Sequence, residues 1–122
     1  MTKILDIQQS IVAANGNVSL AKELFLMLLD DLNVRLEQIE SSFQSSNMDA
    51  LTEHIHKLYG ATAYCIVPKL RDCTATLEEK LKKKEYSQIE DLVNKVISEV
   101  KNIIHSGPRY LQEDWLSYKM VE

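Results

Sequence analysis

An all-α fold, specifically an antiparallel up-and-down four-helix bundle with a short accessory N-terminal helix, is what this sequence predicts. Three observations carry that prediction. Apolar residues recur at helical spacing along four long segments, the polar links between those segments are short, and only three glycines and two prolines punctuate 122 residues. Short links make successive helices antiparallel neighbours, and scarce Gly and Pro leave few places to break them. No stretch reads as a strand. A chain of this length can bury one core without metals or disulfides, and 45% hydrophobic with 26% charged residues is the balance of an ordinary globular protein.

Each element has its own signal. Asp6 followed by Gln9 reads as a helix-starting pair, and Ile7, Ile11 and Val12 give a short apolar face that ends before Asn15-Gly16. Asn17 suits the cap of a second helix, in which Leu20, Leu24, Phe25, Leu28, Leu32, Leu36, Ile39 and Phe43 keep the helical period until Ser45-Ser46. Asn47 suits the cap of a third, with Leu51, Ile55, Leu58, Thr62 and Cys65 inward; it is expected to end near Cys65 to Val67, because Pro68 disfavours helical backbone in the residue before it. Pro68 then opens a fourth helix with Leu70, Cys73, Leu77 and Leu81 inward. Lys80, Lys82, Lys83 and Lys84 gather in its last turn, where they read as a solvated end complementing the helix dipole.

Ser87 and Glu90 have the spacing of a capping box for a fifth helix, whose apolar face of Ile89, Leu92, Val93, Val96, Val100, Ile103 and Ile104 runs to Ser106-Gly107-Pro108. The bundle is accordingly assigned to residues 1–107 and a C-terminal extension to residues 108–122. In that extension Tyr110, Leu111, Trp115, Leu116 and Tyr118 stand among charges. A further helix packed on the bundle, a partner-binding tail and disorder are its three open states, and aromatics this dense speak against full disorder.

Composition also sets the cellular context. A net charge of −4 argues against nucleic acid as a partner, since phosphates call for a basic face. The longest apolar run, Leu24 to Leu29, is too short to span a bilayer, and the N-terminus meets charge too early for a signal peptide. Cys65 and Cys73 both fall on inward stripes, which reads as two buried thiols in a reducing compartment rather than a disulfide. The expected location is the cytoplasm.

The chemistry concentrates between His54 and Cys65. At about 100° per residue, His56 lies roughly 140° from the middle of the third helix's apolar stripe and faces water. Gly60 follows one turn later on the same face, where any side chain would lean back over the imidazole. A mid-helix glycine costs about 1 kcal/mol relative to alanine, and access to His56 by a reacting partner is a reason for it. Other chemistries fit poorly. The glycines at 16, 60 and 107 make no phosphate-cradling loop, so no ATP site is expected. His54 and His56 diverge and cannot share a metal, and the pair Glu53 with His56 is one di-iron motif where two are needed. Cysteines on core stripes are poor nucleophiles. What remains is a neutral imidazole nitrogen that attacks phosphorus directly, with Lys57 beside it as a source of positive charge.

The run His56-Lys57-Leu58-Tyr59-Gly60 resembles the signature of histidine-containing phosphotransfer (HPt) domains, commonly His-x-Leu-Lys-Gly. The resemblance extends from about Asn17 to Ser106, and the segment from Ile55 through Leu70 is most similar to the C-terminal HPt domain of BarA/GacS-type hybrid sensor histidine kinases. It implies that His56 is the phosphoacceptor of a two-component phosphorelay, taking a phosphoryl group from a receiver-domain aspartate and passing it to another. It implies no cofactor in this chain, Mg²⁺ in the partner receiver, a monomer, and no enzymatic activity by the chain alone. Tyr59 departs from the pattern, since the family's usual residue there is lysine, and Lys57 is the candidate to replace it. Two alternatives stand beside this reading: a helical adaptor in which His56 is incidental, and a histidine kinase dimerisation domain, which would usually carry an acidic residue where Lys57 stands.

Overall fold

Side-chain caps start the first three helices where the sequence placed them. The Asp6 carboxylate accepts from Gln9 N at 3.0 Å, Asn17 Oδ1 from Leu20 N at 2.9 Å, and Asn47 Oδ1 from Ala50 N at 3.1 Å. A computed structural model of the chain describes residues 3–119. Its elements are α1 (Ile7–Ala13), α2 (Val18–Gln44), α3 (Met48–Ala61), α4 (Pro68–Lys82), α5 (Ile89–Ser106), a 3-10 helix (Gly107–Gln112) and α6 (Trp115–Lys119). The long helices α2 to α5 form the expected four-helix bundle, each packed on the next and α5 closing back on α2. Within the bundle Phe25, Leu32, Ile39, Leu51, Ile55, Leu58, Leu70, Leu77, Val93 and Ile103 are fully buried, each such side chain stabilising the fold by about 1.5–3 kcal/mol. No single helix among the described residues is long and apolar enough to cross a membrane.

Two boundaries and one burial assignment differ from the sequence reading. The third helix ends at Ala61 rather than near Cys65 to Val67. Thr62 Oγ1 donates to the Tyr59 carbonyl at 2.6 Å, a local bond that competes with further helix, and the chain then leaves to reach α1. There Ile66 N donates to Ser10 Oγ at 3.0 Å and Asp6 N to Ile66 O at 2.8 Å, and Val67 takes the non-helical backbone that Pro68 demands. The capping box of Ser87 and Glu90 does not form. A turn from Tyr86 to Ile89 delays the helix, leaving Gln88 as the cap without a side-chain bond. Leu20, placed on the inward face, is 40% exposed.

Over its described residues, 108–119, the extension is a packed element. After α5 the chain tightens directly into the 3-10 helix, and α6 lies against α1 and α2. Trp115 is buried, its indole donates to Tyr110 O at 2.9 Å, and its ring sits 6.2 Å from that of Phe25 in the bundle core. Gly107 permits the close passage: a Cβ there would lie 3.0 Å from Leu29 Cδ2 and 3.3 Å from Phe25 Cζ.

Candidate functional site

The third helix, α3, is wedged between α2 and α4, and its two histidines turn to opposite neighbours. His54 Nδ1 lies 3.4 Å from Arg35 Nη1 on α2, whereas His56 Nδ1 lies 3.1 Å from Glu78 Oε1 on α4. The His56 side chain remains 62% exposed. The imidazole is thus anchored from behind and open in front.

Glu78 makes the anchor. It sits on the inward side of α4 with Thr74, Leu77 and Leu81, and its side chain is only 11% exposed. Lys82, one turn on, brings Nζ to 2.8 Å from the same Oε1, while Oε2 is buried with no hydrogen-bond partner among the described residues. Burial pulls the Glu78 pKa upward, but the hydrogen bonds and charges of Lys82 and His56 outweigh it and hold the carboxyl below its ordinary value. Glu78 is therefore ionised near neutral pH and can only accept. That assigns the proton of the neutral ring to Nδ1 and leaves the lone pair on Nε2, the nitrogen away from the anchor.

The other expected residues fall around this pair. Gly60 faces open space, with nothing within 4 Å of where a Cβ would stand. Lys57 is not aimed at the imidazole: its Nζ pairs with Glu53 Oε1 at 3.1 Å, one turn back. Tyr59 lies under the Arg71 guanidinium of α4, 4.7 Å from the ring centroid, and its hydroxyl accepts from Nη2 at 3.1 Å. The Glu53 and His56 pair is likewise split, one to Lys57 and the other to Glu78. Cys65 is buried and Cys73 half-buried; both are free, and burial pushes both thiols up to about 11. Neither supplies a thiolate near neutral pH.

Glu78, Lys82 and Arg71 escaped the sequence reading as site residues. For Glu78 a signal existed, since a carboxylate on an otherwise inward stripe needs a partner. Lys82 was hidden in a lysine run, and Arg71 had no spacing relation to the histidine because it reaches the site from another helix. Close by, between α2 and the C-terminal end of α3, Leu24, Met27, Leu28, Val34, Ala61 and Tyr64 line an open groove of about 590 Å³ with Asp30 and Asp31 at its margin.

The helical frame coincides with that of a known family. The family described as Hpt domain matches residues 23–106. The chain belongs to the Hpt domain family. This Hpt chain is 35% identical over 83 residues to the sensor histidine kinase GacS of Pseudomonas protegens, which covers 68% of the chain and 9% of that protein. It is 27% identical over 108 residues to the signal transduction histidine-protein kinase BarA of Escherichia coli, covering 88% of the chain and 12% of BarA. The chain therefore spans about a tenth of the length of these curated relatives. A crystal structure of the HPT domain of a sensor hybrid histidine kinase from Shewanella superposes with a TM-score of 0.84 at 26% identity, covering 89% of this Hpt chain and 94% of that one.

Proposed function

We propose that this Hpt domain is a phosphorelay carrier, with His56 as the phosphoacceptor, exchanging phosphoryl groups with the aspartates of response-regulator receiver domains in the cytoplasm. The observation that supports it most is the His56–Glu78 pair: a buried, ionised carboxylate behind an imidazole whose outer nitrogen is free. In the forward step Nε2 attacks the phosphorus of an aspartyl phosphate. The N–P bond forms, the aspartyl O–P bond breaks, and the aspartate leaves as a carboxylate. The ring gains positive charge as its lone pair is used, and Glu78 stabilises that charge through Nδ1–H. Transfer to the next receiver is the reverse, so the carrier needs no ATP of its own. Mg²⁺, held by the receiver's acidic residues, would belong to the partner rather than to this chain.

Lys82 offsets the Glu78 charge, and Lys57 is paired with Glu53 rather than turned to the imidazole. Gly60 leaves room for the receiver to approach Nε2. The groove between α2 and α3 suits the docking partner: an apolar floor, and a carboxylate margin at Asp30 that pairs with a cation of the receiver. The experiment is to incubate the chain with a phosphorylated receiver. Label should move to the chain as acid-labile, base-stable phosphate, and the chain should run as a monomer. A helical adaptor would take up none, and label stable in acid would place the group elsewhere than on imidazole.

A further inference from the structure

Lys57 on α3, Lys82 beside Glu78 and Arg71 over Tyr59 are not equivalent cations. Lys57 is neutralised by Glu53 and Lys82 by Glu78. Arg71 alone of the three forms no ion pair among the described residues. Its guanidinium is exposed, yet it is fixed by three contacts with neutral groups: it stacks over the Tyr59 ring, Nη2 donates to the Tyr59 hydroxyl at 3.1 Å, and Nη1 donates to Thr62 Oγ1 at 3.0 Å. Tyr59 stands three residues after His56, so its ring leans over the turn that carries the imidazole. A long, flexible cation is ordinarily free to wander. Among the described residues it is held in place with its charge uncompensated, and of its five N–H donors three are unspent.

A held cation with no anion of its own is an anion site waiting for one. Resting on the carrier reading of His56, we infer that Arg71, positioned by Tyr59, is the electrostatic attractor for the phosphoryl group entering and leaving His56. Tyr59 then contributes as a platform: its π face and hydroxyl present a charge borne by α4 to a group on α3. Because Arg71 lies at the exposed edge, its influence passes partly through water and is reduced by salt. Arg71 is a positioning residue for the incoming phosphate and forms no bond in the step itself.

The test separates this role from docking by leaving the receiver out. Phosphoramidate is the probe: Nε2 of His56 attacks its phosphorus, the N–P bond to ammonia breaks, and ammonia departs with the proton. In the full chain at low ionic strength, Arg71→Gln should slow labelling of His56 about three- to tenfold, the size expected of one partly screened charge. Arg71→Lys should recover most of the rate, and Tyr59→Leu, which removes the platform, should lose part of it. Added salt should slow the parent chain and leave Arg71→Gln nearly unchanged. Labelling of Arg71→Gln at the parent rate and salt sensitivity would overturn the assignment of Arg71 and leave the carrier reading intact. Arg71→Lys as slow as Arg71→Gln would overturn it as well, assigning the effect to the tether rather than the charge. Absence of label on His56 of the parent chain, with the fold intact by circular dichroism, would sink the carrier reading itself.

Discussion

His54 and His56 share a helix and a residue type and stand two positions apart, yet their rings meet opposite charges. His54 turns toward α2, where partial burial first and the Arg35 charge second hold its pKa below the ordinary value. Its Nδ1 faces a guanidinium that can only donate, so that nitrogen's lone pair is already engaged. His56 turns toward α4 and meets a carboxylate, which accepts a hydrogen bond from Nδ1–H and leaves the outer nitrogen with its lone pair. On the carrier reading proposed for His56, the sign of the charge behind the ring, together with what stands in front of it, is what would separate a structural histidine from a reactive one.

The largest effect should come from exchanging the two. His56→Gln is expected to abolish uptake of phosphoryl from a receiver, while His54→Gln retains it; label persisting in His56→Gln would break the comparison outright. Next, Glu78→Gln keeps a hydrogen-bonding shape but removes the charge. Transfer should fall about ten- to a hundredfold, the range found when the partner behind a working imidazole is lost. Unchanged transfer would show that exposure alone distinguishes His56. Gly60→Leu should slow transfer more than it disturbs folding, because the new side chain finds open space but lies over the imidazole; rapid-quench transfer assays beside thermal melts would read both.

Smaller effects are read by titration. The His54 imidazole should titrate below 6.5 by NMR, and Arg35→Gln should move the midpoint up without restoring it fully, since burial is the larger cause. The smallest concerns stability in acid. A carboxyl whose folded pKa lies below its unfolded value of about 4.5 stabilises the fold above that pH, and the gain is lost as pH falls through the folded pKa. Denaturant midpoints of the parent chain should therefore decline more steeply below about pH 4.5 than those of Glu78→Gln.

Much of this was legible in the order of residues. Helix starts followed from Asp6, Asn17 and Asn47, whose caps are local contacts over three residues, and the bundle followed from periodicity. His56 and Gly60 were legible because both lie on one helix, where spacing fixes direction. Glu78 and Arg71 were harder, since they meet α3 across a helix pair and depend on its register. The lysine expected near the phosphoryl group was sought beside the histidine in sequence, at Lys57, whereas its ammonium has a carboxylate one turn back. The early end of α3 came from a tertiary tie, the bond of Ile66 to Ser10 on α1, which no window of neighbouring residues contains. Trp115 was visible as an aromatic in need of cover, and its partner Phe25 lies ninety positions earlier.

The shared oxygen of Glu78 has one more consequence. Lys82 pairs with it, and Lys57 with Glu53, so the two carboxylates nearest His56 in these contacts are each matched by a cation. A phosphoryl group brings about two negative charges of its own. On the carrier reading proposed for His56, loading would write a sign onto the surface, readable over roughly 8 Å at physiological ionic strength. An empty carrier and a full one would then present different faces to the next molecule before any contact is made.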